Sequence, residues 1–390
     1  MKGIKMRSRK NRFTLSLAVM VMVALLFSCS KKQIGNIQIT KENGVTIVSN
    51  PAQPLYPNAK LVYEEELSIG EEEGDSNYVF YRPANIVVDS EEHIYLLDSG
   101  NNRVQVFDAA GKFLYSFGKK GQGPGEFMMA YSMVLSGDEK LYILDLQNRR
   151  MSVFQKNGKY LQGFDIKEGS PQFLFIDENE NLFMGKILRG KTPNDQKISI
   201  GKYDINGNLL LTFKEFAMNS IKFIRSGKSV TAIPIMFNPS AAWTVDNRGN
   251  VYSGLGDQYV VDVQSADSMV VKQIKRNWQP IPVTSEDKNK YNERFKSQLS
   301  SMIKEIEFRN TKPAFSRFTI DDQNNLWVKL YTEFGFEENR CDVFDPEGKY
   351  LYQVEISIRP DLFKNGKIYT IERTEEGIAM VKRYGYHWEK

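Results

Sequence analysis

One stretch of sequence recurs along the chain. Residues 83–127 read PANIVVDSEEHIYLLDSGNNRVQVFDAAGKFLYSFGKKGQGPGEF, and 133–164 repeat the pattern as MVLSGDEKLYILDLQNRRMSVFQKNGKYLQGF. Degraded copies follow in 173–213, 243–254, 318–354 and 365–384. A repeat constrains a fold more than composition does, because every copy must adopt the same local structure and bury its apolar face on its neighbours. One aromatic anchors each copy: Tyr95, Tyr142, Phe183, Tyr252, Trp327 and Tyr369. Their spacings are 41 to 47 residues, except for two of 69 and 75 that make room for insertions.

Each unit holds four short apolar runs separated by polar turns. The first run is continuous (Ile86-Val87-Val88, Leu174-Phe175-Ile176), as expected of a strand covered on both faces. Between the third and fourth runs stand Asp108…Gly111, Asp204…Gly207 and Asp345…Gly348, where glycine supplies the positive φ of a short hairpin loop. Four-stranded antiparallel units of this period describe propeller blades. The stretch from Asp98 to Phe107 with Gly118…Gly125 resembles an NHL repeat. Over residues 83–384 the chain is similar to the six-bladed propeller lipoproteins of Bacteroidota. The expected fold is therefore all-β: a six-bladed β-propeller of four-stranded antiparallel blades with one inserted helix.

The last copy supplies only about three strands. Lys60–Ser68 can add the missing outer strand, joining both ends of the chain in one blade and removing an open edge. Each anchor aromatic should then be wedged between adjacent blades, where full burial stabilises by roughly 2–3 kcal/mol.

Strand alternation puts the two–three loops and the blade-to-blade crossings on one face of the disc. All the long segments fall there: Lys186–Gln196, Lys214–Pro239, Lys275–Ala314 and Lys329–Arg340. Long loops on a rigid scaffold are where binding sites usually form. The longest carries the helix, near 284–307. Thr284 with Asp287 can cap it, and Tyr291, Phe295, Leu299, Met302, Ile303 and Ile306 form one apolar stripe.

The first residues read as an address. Lys2, Lys5, Arg7, Arg9, Lys10 and Arg12 precede Phe13–Phe27, a run shorter than the roughly 20 apolar residues of a membrane span. The run ends in Leu26-Phe27-Ser28-Cys29, which resembles the bacterial lipoprotein signal. That resemblance implies cleavage after residue 28, lipidation of Cys29 and a membrane partner through the lipid. Ser30 in place of an inner-membrane aspartate favours the outer membrane, and Lys31-Lys32-Gln33 does not support surface display. The domain expectation is a signal peptide over 1–28, a lipid-anchored tether over 29–58 and the propeller over 59–390. Extended, the tether could span on the order of 100 Å. Cys341, the only other cysteine, opens an apolar run and reads as a buried free thiol.

The formal charge is +4, but the sequence after residue 28 carries 46 basic against 48 acidic residues. Net charge therefore gives no argument for nucleic acid as a partner. Only His93 and His387 occur, which leaves histidine-based catalysis and a histidine-rich zinc site poorly supplied. No GxSxG elbow appears. Asp177-Glu-Asn179-Glu-Asn181 lacks the glycine and glutamate an EF-hand requires, and Gly121-Gln-Gly123-Pro-Gly125 reads as a crossing between blades.

The favoured reading is a non-catalytic binding module without a cofactor, its ligand a protein, peptide or glycan. Candidate contacts on the insertion face are Asp98, Asn101 and Arg103 in one two–three loop and Asp145, Asn148 and Arg150 in the next. Arg82 and Arg317 near the channel entrance join them, with Tyr131 and Phe334 as aromatic walls. The alternative is a calcium-type sugar-lactonase-like hydrolase using channel carboxylates.

Overall fold

Backbone pairing in the computed structural model turns each repeat into one sheet. The structure describes residues 32–34, 36–227, 229–295, 306–331 and 339–389. Blade 1 comprises Pro83–Val88, Ile94–Asp98, Arg103–Phe107 and Phe113–Phe117, each strand antiparallel to the next. Blade 2 follows with Ala130–Leu135, Lys140–Asp145, Arg150–Gln155 and Tyr160–Asp165. Blade 3 has longer strands: Ser170–Ile176, Leu182–Arg189, Gln196–Tyr203 and Leu209–Ala217. Ala242–Val245, Val251–Gly254, Val260–Gln264 and Val270–Arg276 make blade 4. Phe315–Ile320, Leu326–Leu330, Asn339–Phe344 and Tyr350–Ile356 make blade 5.

Blade 6 closes the ring as expected. Its own Leu362–Lys364, Lys367–Arg373 and Ala379–Glu389 take Lys60–Ile69 as the outer strand, antiparallel to the last of them. The blades meet through side chains, and six cores fill the six junctions. Tyr95 of blade 1 lies among Phe127, Met133 and Leu141 of blade 2, and Trp327 of blade 5 among Phe363 and Ile368 of blade 6. Tyr369 packs with Ile86, Leu96 and Phe107 of blade 1, so the last junction is filled like the others. All six anchors are buried, Tyr252 the most exposed at 5%.

The face opposite the insertions is built from repeated carboxylate turns. Asp89, Asp177, Asp246 and Asp321 each accept backbone N–H bonds from the residues two and four ahead. The Asp321 carboxylate also accepts the Trp327 indole N–H at 2.9 Å, tying the turn to the anchor. Gly207 shows why the three–four turns need glycine. Its φ is +81°, and a Cβ would lie 2.4 Å from the Phe164 ring of the preceding blade.

The segment expected as a tether differs over its described part. Ile37–Glu42 and Val45–Asn50 form a hairpin whose second strand runs parallel to Val270–Arg276, extending blade 4 outward. Asn43 and Gly44 both have positive φ, 50° and 86°, which an Asn-Gly hairpin turn requires. The Asn50 amide then donates to the carbonyls of Lys275 and Gly348 and accepts the Tyr350 N–H. Leu55 and Tyr56 bond to the outer strand of blade 5. Residues 37–69 thus strap the outside of blades 4, 5 and 6. The alternation in 37–50 with its Asn-Gly turn is the sequence signal of this hairpin.

The insertions between blades 3, 4 and 5 pack together. Ile221–Ser226 and Ser229–Met236 form a hairpin, and Glu307–Phe308 adds a parallel strand at Ile235 and Met236. Helix α1 spans Ser285–Phe295, so the expected helix over 284–307 is corrected at its far end, where 307–308 is strand. Thr284 Oγ1 accepts the Asp287 N–H and the Asp287 carboxylate accepts the Thr284 N–H, a reciprocal cap. Tyr291 packs on Phe237 at 4.8 Å between ring centroids. Leu299, Met302 and Ile303 of the expected stripe lie outside the described residues.

Candidate functional site

The inner strands begin at the insertion-bearing face, and four of them begin irregularly. In blade 1 Pro83 pairs with Asp98 and Asn85 with Leu97, so Ala84 is an extra residue. The same irregularity leaves Tyr131 out of register in blade 2, Phe173 in blade 3 and Ser316 in blade 5. A bulge bends the strand and re-aims the side chain it carries. Phe173 adopts φ +48° and Arg82, just before the blade 1 strand, +52°. For a phenylalanine that conformation costs about 1 kcal/mol or more and persists only where surrounding structure enforces it.

The result is an aromatic and apolar rim. Tyr81, Met129 and Phe173 are 54%, 53% and 47% exposed although each adjoins a buried strand. The Tyr131 ring lies 6.4 Å from that of Phe173. Arg82 is exposed and sits over the Tyr81 ring at 5.2 Å.

Across the ring, blade 5 contributes charge. Arg317, exposed at its inner strand, pairs in register with Lys329, which pairs with Cys341. Arg359, on the crossing to blade 6, bonds to the Asp361 carboxylate at 2.9 Å. Among the described residues no carboxylate forms an ion pair with Arg317 or Lys329. Desolvation by the surrounding wall lowers the pKa of both; for Arg317 the Asp361 carboxylate opposes this and Arg359 adds to it, while Arg317 and Arg359 push Lys329 the same way as burial. Burial pushes the Cys341 thiol up to about 12, so it is the neutral buried thiol the sequence suggests.

The two–three loop residues expected to contact ligand are engaged elsewhere. Asp98 accepts the Tyr81 N–H, the Asn101 amide and Arg103 Nε, while Arg103 Nη2 donates to the carbonyls of Ser76 and Val79. Asp145 accepts the N–H groups of Met128, Met129, Gln147 and Asn148, together with the Asn148 amide. Arg150 donates to the carbonyls of Gln122, Gly123 and Glu126, the glycine-rich crossing into blade 2. Both aspartates are fully buried. These six residues hold the backbone that presents Tyr81 and Met129, each through bonds within the scaffold, although Arg150 Nε is buried without a hydrogen-bond partner. Arg82 precedes the inner strand of blade 1, and Tyr131 and Arg317 lie at or beside the bulges of blades 2 and 5. Phe334 and Cys29 lie outside the described residues.

Sequence reasoning missed Tyr81, Met129, Phe173, Lys329 and Arg359. Each lies in or beside an apolar run and looks like core until the bulge or the crossing is seen. Among the described residues no group of three His, Cys, Asp or Glu side chains converges as a metal site, and no helix is long and apolar enough to cross a membrane.

Comparison with known proteins agrees with this architecture. The model of the family DUF5128, described as a 6-bladed beta-propeller, matches residues 77–376. A solved structure of a member of the DUF4221 family from Bacteroides vulgatus superposes with a TM-score of 0.56 at 10% identity, covering 85% of this chain and 99% of its own. One of a Bacteroides fragilis protein described as exported gives 0.51 at 13%, covering 88% and 100%. Likeness at these identities is likeness of fold. No curated protein matches the chain.

Proposed function

The chain belongs to the DUF5128 family of six-bladed β-propellers, and we propose that it is a non-catalytic, lipid-anchored binding protein of the cell envelope. Its ligand, a glycan, peptide or protein segment, docks at the channel mouth on the insertion face. The observation that carries this reading is the set of bulged inner-strand starts with Phe173 and Tyr131 at the rim. Irregular, strained residues at the mouth of a rigid ring are hard to account for as packing, since blade cohesion is supplied by the six cores behind them. Exposed aromatics beside cations are the surface groups most often found at binding hot spots.

The envelope part rests on the signal and Cys29 read from the sequence, and the exported description of the Bacteroides fragilis neighbour agrees with it. In this reading Cys29 carries the lipid, the outer membrane is the anchoring surface, and the strap over 37–69 holds the propeller close to it. Mass spectrometry of the amino-terminal peptide from membranes should show a diacylglyceryl mass on Cys29. An unmodified or uncleaved terminus would remove the anchor from the proposal. Glycan and peptide arrays probed with the protein and with Phe173→Ala test the mouth. Binding that the variant keeps at full strength would place the ligand elsewhere.

A further inference from the structure

Among the described residues the Arg317 and Lys329 side chains of blade 5 form no ion pair, and Arg359 on the crossing bonds to Asp361. Arg317, Lys329 and Arg359 line one narrow recess with Thr319, Trp327 and Phe363, and it has room for little more than a water-sized group. Trp327 and Phe363 form its apolar floor, their ring centroids 4.9 Å apart. Three cations gather here against a single carboxylate, Asp361, which is bonded to Arg359 and also accepts the Ile371 N–H. Elsewhere at this face arginines bond to backbone carbonyls, as Arg103 and Arg150 show. A partly desolvated pair of cations such as Arg317 and Lys329, with Asp361 the one carboxylate acting on Arg317, is electrostatically unfavourable in the free protein. Such an arrangement becomes favourable once an anion completes it.

We propose that this recess is an anion subsite that takes a carboxylate group of the ligand, an inference that rests on the channel mouth being the binding site. One carboxylate oxygen matches the water-sized space of the recess, and the other can stay at its opening against the guanidinium fork. Tyr131, from the blade opposite, faces Arg317 across the mouth. A ligand whose carboxylate lies between Arg317 and Lys329 can therefore rest its remaining face on the Tyr131–Phe173 side. Uronic acids and free peptide carboxyl termini both present this chemistry.

Calorimetric titrations at fixed ionic strength test the subsite with matched probes: glucuronate against glucose, and a short peptide with a free against an amidated carboxyl terminus. The expected result is saturable binding of one charged probe with none of its neutral twin, weakened at least tenfold by Arg317→Met and by Lys329→Met. The charged probe that binds identifies the source. Arg359→Gln, whose parent side chain is 55% exposed, should weaken binding several-fold. The ligand-free Lys329→Met protein should also melt about 2 °C higher, because the repulsion is gone. Equal binding of charged and neutral twins, binding indifferent to all three substitutions, or no binding of any charged probe would overturn the subsite. If a neutral ligand binds and depends on Phe173 but not on the cations, the mouth remains the binding site and only the anion subsite falls.

Discussion

Arg150 and Arg317 lie near the same face of one ring, in blades 2 and 5, and have opposite surroundings. Arg150 reaches three carbonyls of a glycine-rich crossing, each at 2.9 Å. Arg317 stands at a bulge beside another cation, without a carboxylate paired to it among the described residues. The first belongs to the repeat: Arg103 occupies the equivalent place in blade 1 and does the same work. The second does not recur in that role. A charge that repeats in frame with the blades holds the scaffold, whereas one out of frame is free to meet a ligand.

The largest test of that contrast is Asp145→Ala. The fully buried carboxylate accepts four backbone N–H groups, and leaving them unpaired should cost about 3–4 kcal/mol in urea unfolding. A loss under about 1 kcal/mol would mean the two–three loops do not brace the rim. The paired substitutions Arg150→Met and Arg317→Met sharpen the comparison directly. The first should lose about 2 kcal/mol as three carbonyls lose a charged donor, and the second should lose nothing and gain up to about 1 kcal/mol as the repulsion with Lys329 is removed. Equal losses would erase the distinction. Smaller again, Phe173→Asn should leave stability unchanged or raise it by up to about 1 kcal/mol, because asparagine tolerates positive φ, while ligand retention on arrays falls. A clear destabilisation would show that Phe173 is packing after all.

Much of the scaffold was legible before any coordinates. The anchor aromatics, the carboxylate turns, the Thr284–Asp287 cap and the closing strand at 60–69 are set by contacts that recur or lie close in sequence. The strap over 37–50 was read as a tether, because its partner strand lies more than two hundred residues away and pairs in parallel. The candidate site was legible only in part. The sequence places Arg82, Arg317 and Tyr131 near the start of inner strands, but it shows Asp98 and Asp145 as polar groups without showing the backbone partners that engage them.

Repetition alone determined the number of blades, the period and the face on which the insertions emerge, since those follow from strand alternation and a conserved local geometry. Only the tertiary structure decided which polar groups are satisfied and which are not. An extra residue in a strand leaves no mark in composition or periodicity, yet it turns Phe173 and Tyr131 toward the mouth. Likewise Arg317, Lys329 and Arg359 come together only when blade 5 and its crossing to blade 6 are both in place. Their shared recess is a property of that junction, made by folding rather than by any local motif.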